Sequence, residues 1–546
     1  MGERIYREGV LPSGEPLRAT LKGGLSVPGT TFACVSCHLR SGLGSLEGGI
    51  FTPPTNGAKL FKPLQVYSSS TKSDRPFTPP QIVRENLKFY QTSQRRPIYT
   101  DRTLAIALRD GIDSAGRTMN DVMPRYLLAD EDMEILISYL KSLSSDVSPG
   151  VSDTTIRFAT IIADDVSLED RNAMLTPLEN FIRSKNLANF LDPKAGVRSR
   201  STGFRSRVMA ETTFAPRGVA IRELSLSRWV LKGPSETWRG QMEEYYRKEP
   251  VFAILGGITD GDWQPVHLFC EENQIPSIFP NTDFPVISQS DWYTLYLSKG
   301  YYQEGEGAAR FLNDKNELTG KPIVQIVRDT REGRALSRGF EETWRDFGQT
   351  APVTVTLKAG ETLTAELLQQ ELARVKPAAV ILWDGPDSLK TLEMLAAGKD
   401  RPATVLVSSR YLGKGMLSLK DEVRDFTYLT YPFGISQSPQ ERSASPSMGV
   451  KNFNVEGNTV ATIRISQQSF ILNLVLDMAL LEMKGNYYRD YLLDVIGTIM
   501  DLDVPLYDRL NFGPGQRYAS KGCHIIQLAK TGLIKKSGWM SGWATQ

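Results

Sequence analysis

The sequence predicts a multidomain chain. A small α-helical domain occupies residues 1–147, and a two-lobed α/β module of doubly wound parallel sheets occupies residues 154–546. Three observations predict this. The chain has 546 residues, too many for one domain. The stretch Ser144-Ser145-Asp146-Val147-Ser148-Pro149-Gly150-Val151-Ser152-Asp153 has the composition of a linker. Beyond it, short apolar runs alternate with segments of helical period, the pattern of parallel sheets covered on both faces.

The first domain is organised around Cys34-Val35-Ser36-Cys37-His38. This is the C-x-x-C-H spacing by which a c-type haem is held: the thiols add to the haem vinyls and the adjoining histidine ligates the iron. Zinc would need a second ligand pair of comparable spacing, and four cysteines and three histidines do not supply one. A redox dithiol is the alternative reading of the two thiols. His38 is the only histidine before His267, so the second axial ligand is expected from elsewhere, with Met119 and Met123 in position to offer a thioether. Pro124 pushes Met123 towards extended geometry, which lets its sulfur project from a loop. Asp130 to Leu143 follows, with apolar residues at helical spacing and an acidic first turn. Between cassette and methionines, Phe51 to Pro97 is a long polar stretch, read as irregular structure with a helix over Gln81 to Tyr90.

Together, an N-terminal helix carrying Gly2 and Tyr6, the C-x-x-C-H cassette, a Met-Pro loop and a closing amphipathic helix resemble the class I cytochrome c family. The resemblance covers about the first quarter of the chain. It implies one covalent haem c on Cys34 and Cys37, with His38 and Met123 as iron ligands, one-electron transfer, and a redox protein as partner.

The totals exclude some classes. Lys and Arg number 64 against 62 Asp and Glu, which argues against a nucleic-acid binder. No apolar run reaches the roughly 18 residues of a membrane span; Phe470 to Met483 is interrupted by Asn473, Asp477 and Glu482 and reads as a buried amphipathic helix. The N-terminus does not read as a secretory signal. Because haem is attached covalently outside the bacterial cytoplasm, the expectation is a periplasmic protein whose signal peptide has been removed.

The second part runs strand Ile156 to Ala163, helix Ala173 to Ser184, strand Gly218 to Leu226, helix Thr237 to Lys248, strand Val251 to Gly257, helix Val266 to Asn273 and strand Ile275 to Phe279. The alternation resumes with strand Ile323 to Val327, helix Arg334 to Phe347, strand Val353 to Leu357 and helix Leu363 to Arg374. Strand Ala378 to Trp383, helix Ser388 to Ala397 and strand Thr404 to Ser408 complete it. In open parallel sheets ligands bind beyond the carboxyl ends of strands. Candidate cleft residues are therefore Gly257, Thr259 and Asp260 on the first lobe, with Asn281, Thr282 and Asp283 after the next strand. On the second lobe they are Asp329, Asp384 and Ser408. Each could equally be turn or cap chemistry.

This part resembles the type I periplasmic binding proteins, and among them the branched-chain amino-acid receptors. The likeness is carried by Val251 to Gly257, Ile275-Pro276, Thr319-Gly320-Lys321-Pro322, Lys376-Pro377-Ala378 and Phe512-Gly513-Pro514-Gly515-Gln516-Arg517. It implies two lobes joined by three crossovers, one over about 154–292 and 433–502, the other over about 297–429 and 506–546. It also implies a small-molecule ligand between them. The four acids of Asp164-Asp165-Val166-Ser167-Leu168-Glu169-Asp170 would disfavour a carboxylate if they faced that cleft. Cys270 and Cys523 could pair in an oxidising compartment, although the likeness sets them on different lobes. His267 and His524 read as packed or surface imidazoles, and no arrangement reads as catalytic. The expectation is a periplasmic monohaem cytochrome fused to a solute-binding module that senses a solute or docks a partner. The rivals are a haem-dependent small-molecule oxidoreductase and a transport-type receptor with an ancillary haem.

Overall fold

The computed structural model describes the chain apart from residues 22, 48–49, 64–95, 192–221, 319, 399–400, 435–459, 484, 505, 508, 514, 529–533 and 542–546. The helix expected over Gln81 to Tyr90 lies outside the described residues.

The N-terminal unit is built from helices α1 (Gly2–Glu8), α2 (Val35–His38), α3 (Asp101–Asp110) and α4 (Asp130–Ser142). A three-stranded antiparallel sheet joins them, in the order β2 (Ser26–Pro28), β1 (Arg18–Thr20), β3 (Arg125–Leu127). Helices α1 and α4 cross at close range because position 2 is glycine: a Cβ there would lie 2.5 Å from Tyr139 Cβ and 2.6 Å from the Ile135 carbonyl oxygen. Ile5 and Tyr6 on α1 and Met133, Leu136, Ile137 and Leu140 on α4 fill the core beneath the crossing. Tyr99 closes onto the end of the preceding segment, its N–H donating to the Leu60 carbonyl at 3.1 Å.

Among the described residues the first lobe holds five parallel strands in the order β8 (Thr294–Leu295), β7 (Ser277–Ile278), β6 (Ala253–Leu255), β4 (Thr155–Ala163), β5 (Glu223–Leu231). Helices α5 (Leu168–Leu191), α6 (Trp238–Lys248), α7 (Gln264–Glu272), α13 (Val460–Met483) and α14 (Arg489–Gly497) belong to this lobe. Among the described residues the second lobe has seven strands in the order β10 (Val353–Leu357), β9 (Ile323–Arg328), β11 (Ala379–Trp383), β12 (Thr404–Ser408), β13 (Thr427–Tyr431), β14 (Gly522–Leu528), β15 (Ile534–Ser541). The first five run parallel and the last two are added antiparallel. Helices α8 (Tyr301–Asn313), α9 (Arg331–Asp346), α10 (Ala365–Val375), α11 (Ser388–Ala397) and the short α12 (Ser409–Leu412) belong here. The β9, β11 and β12 runs are wholly buried, as strands covered on both faces must be.

Several boundaries differ from the sequence reading, among them the helix expected over Ala173 to Ser184, which runs Leu168–Leu191. Strand β5 is Glu223–Leu231 and runs past the expected end at Leu226, because Trp229 and Leu231 are core-facing and Lys232-Gly233-Pro234 ends it; the expected start, at 218–221, lies outside the described residues. Residues 506–519 belong to the first lobe, not the second: Leu506, Tyr507, Leu510, Phe512 and Ala519 fill its core, so the last crossing falls just before β14. The linker is packed. Gly150 at φ +84° approaches Phe252 N so closely that a Cβ would sit at 2.1 Å, and Arg157 N–H donates to the Gly150 carbonyl at 2.7 Å. None of the four cysteines is bridged; Cys270 is buried in α7 of the first lobe and Cys523 in β14 of the second, which removes the suggested disulfide. Among the described residues no helix is long and apolar enough to cross a membrane.

Candidate functional site

Cys34 is the N-cap of α2, and His38 N–H donates back to its carbonyl at 2.9 Å. One helical turn therefore sets Cys34 and Cys37 on one face. The helix ends at Leu39, which adopts φ +63°, a conformation non-glycine residues adopt uncommonly. His38 is only 4% exposed. Its Nδ1 lies 2.8 Å from the Pro53 carbonyl oxygen; a carbonyl only accepts, so Nδ1 carries the proton and Nε2 the free lone pair. Burial depresses the imidazole to about 4, so the ring is neutral near neutral pH. Burial pushes the Cys34 thiol up to about 11, while Cys37 is exposed.

The methionines reach the same place through the small sheet. Met123-Pro124 runs directly into β3, which pairs with β1, which pairs with β2 just ahead of the cassette. Arg125 donates to the Met119 carbonyl at 3.2 Å and also to that of Met123, and Tyr126 donates its hydroxyl to the Phe32 carbonyl at 2.8 Å. Met119 and Met123 both pack against the core cluster that contains Cys34. A neutral imidazole of fixed tautomer, two thiols one turn apart and thioethers in the same cluster form a donor set that fits covalent haem.

Between the lobes a second cluster forms around Arg410, directly after β12. Its Nη1 is 2.8 Å from Asp283 Oδ1 of the first lobe, and its Nε is 2.9 Å from Glu304 Oε1 on α8. Arg464 on α13 pairs with Asp283 Oδ2 at 3.0 Å. The other Glu304 oxygen accepts from Ser408 Oγ at 2.7 Å and Thr430 Oγ1 at 2.6 Å. The Arg410 guanidinium lies 4.5 Å over the Tyr301 ring and 5.2 Å over Phe433. Burial raises Glu304. Burial also opposes ionisation of Asp283, but Arg410 and Arg464 outweigh it and hold that carboxyl below its usual range.

The cleft residues expected from sequence are placed variously. Gly257, at φ +105°, is packed so tightly that a Cβ would lie 2.4 Å from the Trp263 ring. Its N–H donates to Met174 Sδ at 3.2 Å and its carbonyl accepts from Asn281 N–H at 2.8 Å, so both backbone groups are engaged within the lobe. Thr259 is buried and Asp260 exposed. Asp329 is half-exposed and pairs with Arg334. Asp384 is fully buried, held by Arg328 Nε at 3.0 Å and Thr391 Oγ1 at 2.9 Å. Ser408 joins the Arg410 cluster through Glu304. The acids Asp164 and Asp165, in the turn before α5, and Glu169, in its first turn, are exposed. His267 is packed, with Nδ1 2.9 Å from Tyr296 Oη and Nε2 2.8 Å from Asp291 Oδ2.

No family model matches the chain. No curated protein matches it either. Solved structures do resemble it. An ABC transporter substrate-binding protein from Sphaerobacter thermophilus is 13% identical, with 71% of this chain and 96% of that chain covered, at a TM-score of 0.46. A putative branched-chain amino acid ABC transporter from Rhodospirillum rubrum is 12% identical over 70% and 99% of the two chains, at 0.45. A branched chain amino acid ABC transporter from Thermus thermophilus with bound valine is 10% identical over 72% and 98%, at 0.44. Identities this low and TM-scores below 0.5 say nothing of ligand or role.

Sequence reasoning passed over Glu304, Arg410, Arg464 and Asp494. A signal for Glu304 existed: an acid sharing a helix face with the small residues Gly307 and Ala308 is an acid the fold must bury and compensate. Arg410 is a cation directly after a strand. Arg464 and Asp494 carry no local signal, because their partners lie far away in sequence.

Proposed function

We propose that the chain is a monohaem c-type electron-transfer protein whose haem-bearing unit is built onto a two-lobed solute-binding module. The observation that carries this reading is the His38 imidazole: buried, neutral, its Nδ1 proton held by the Pro53 carbonyl, one residue beyond the second thiol of a helical C-x-x-C turn. Cys34 and Cys37 would hold the haem covalently, with His38 and Met123 as its axial ligands. When bound, the haem supplies one-electron redox chemistry. The protein's residues do the rest: Pro53 orients the imidazole, Arg125 clasps the methionine loop, and the α1–α4 core encloses the site. A redox protein would be the electron partner, and the periplasm the compartment in which such a protein works.

The module would take its small molecule between the lobes. Asp283 and Arg410 meet across that opening, and opening and closing would break and remake their pair. The test is intact mass and absorption of protein expressed with cytochrome c maturation machinery. The expected result is one covalent haem, lost on replacing Cys34 and Cys37 with Ala. A wild-type chain that emerges from that host without haem sinks the reading.

A further inference from the structure

Two residues beyond His38 the chain meets the first lobe. The backbone N–H of Arg40 donates to Asp494 Oδ1 at 3.3 Å, and that of Ser41 to Asp494 Oδ2 at 2.8 Å. Asp494 lies on α14 and is 7% exposed. A carboxylate this buried is costly unless its oxygens are satisfied, and here the amides that satisfy it come from another unit of the chain. Arg40 reinforces the contact: its Nε is 3.3 Å from Asp490 Oδ1, and its guanidinium lies 4.5 Å over the Trp292 ring and 5.4 Å over Tyr293. Asp490 also accepts from Arg7 at 2.8 Å and from the Tyr293 hydroxyl at 2.9 Å.

This patch stands at the foot of the inter-lobe crossings. Arg517 lies 4.4 Å over Trp292 and donates to its carbonyl. Tyr296, at the first crossing, donates its N–H to the Arg517 carbonyl at 2.8 Å, and Ser520, at the last, donates to Leu297 at 2.8 Å. The segment following the iron ligand is thus tied to the strands about which the lobes would move.

We propose that Asp494 is a positioning residue of the haem site: its carboxylate, supplied by the first lobe, fixes the Arg40–Ser41 backbone behind His38, so the lobe helps set the reduction potential. The proposal rests on the haem reading above. A fixed negative charge near the iron favours the oxidised, more positive state, and removing it favours the reduced one. A contact that served packing alone would need no buried charge.

The test uses the full-length haem-loaded protein. Midpoint potentials of wild type, Asp494→Asn and Asp494→Ala are measured at about pH 8, where a carboxylate is ionised. Amide exchange is followed in the peptide spanning Arg40 and Ser41. Both variants should raise the midpoint, by up to the roughly 59 mV that corresponds to a tenfold change in the oxidised-to-reduced ratio. Asp494→Ala should also speed exchange of the two amides about tenfold, while Asp494→Asn, which keeps an acceptor oxygen, should speed it less. Unchanged midpoints in fully haem-loaded variants overturn the proposal and leave the haem reading standing. If Asp494→Ala does not fold, Asp494→Asn decides. Absence of haem from the wild type defeats the haem reading instead. Amide exchange in the haem-free chain then reads the contact alone, and equal rates with and without Asp494 overturn it.

Discussion

Arg410 Nη1 and Asp283 Oδ1 lie 2.8 Å apart across the two lobes, and the same guanidinium reaches Glu304 on its other side. Arg410 is 10% exposed and Glu304 fully buried, so the cation compensates a carboxylate that has no access to water. Removing one partner of such a group leaves an uncompensated buried charge. Arg410→Ala should therefore cost about 3 kcal/mol in urea unfolding. Adding Glu304→Gln should recover part of that loss, because the orphaned charge goes with it. A double variant no more stable than Arg410→Ala would mean that Glu304 is already neutral.

The α1–α4 crossing sets a second expectation. Gly2 lies against the backbone of α4, with the Ile135 carbonyl 2.6 Å from where a Cβ would stand. Backbone cannot swing away as a flexible side chain can. Gly2→Val should destabilise the N-terminal unit by about 1–3 kcal/mol, the usual range for overpacking. If the chain carries haem as proposed, thermal melting followed at the haem band reads this unit specifically, and an unshifted transition would show that α1 is not part of its core.

The two methionines can be told apart. Met119 and Met123 pack against the same cluster, and Arg125 holds both carbonyls. If Met123 is the axial ligand, Met123→Ala should abolish the weak far-red sulfur-to-iron absorption band and let carbon monoxide bind the reduced protein. Met119→Ala should do neither. The reverse outcome transfers the role to Met119.

Asp494 also makes the stability pH-dependent. Burial pushes its carboxyl up to about 6, although the N–H of Ser41 opposes the rise and Asp490 beside it adds to it. The folded value exceeds the unfolded one, so the folded state holds the proton more tightly. The resulting stabilisation is complete below about pH 4, the unfolded carboxyl's range, and is lost as pH rises through about 6. Asp494→Asn has no such proton. The melting temperature of wild type relative to Asp494→Asn should fall between pH 4 and pH 7, over the interval fixed by those two values. A constant difference would place Asp494 in contact with water.

The strand–helix alternation and the one-turn spacing within Cys34–His38 were legible in the sequence because each is local. A four-residue turn fixes how Cys34, Cys37 and His38 relate, and a continuous apolar run such as Ala379–Trp383 must be covered on both faces wherever it lies. The same logic placed Ser388–Ala397 and Thr404–Ser408 without error. Tertiary structure alone decided what each polar residue after a strand does. Asp384 and Ser408 look alike in sequence, yet one is held by Arg328 and Thr391 within its lobe and the other completes a cluster that spans both. It also decided that residues 506–519 finish the first lobe, and that Asp494 meets Ser41 across most of the chain. Such contacts depend on which surfaces meet after the elements have formed, and the free energy that selects them comes from burying groups whose partners no local window of sequence contains.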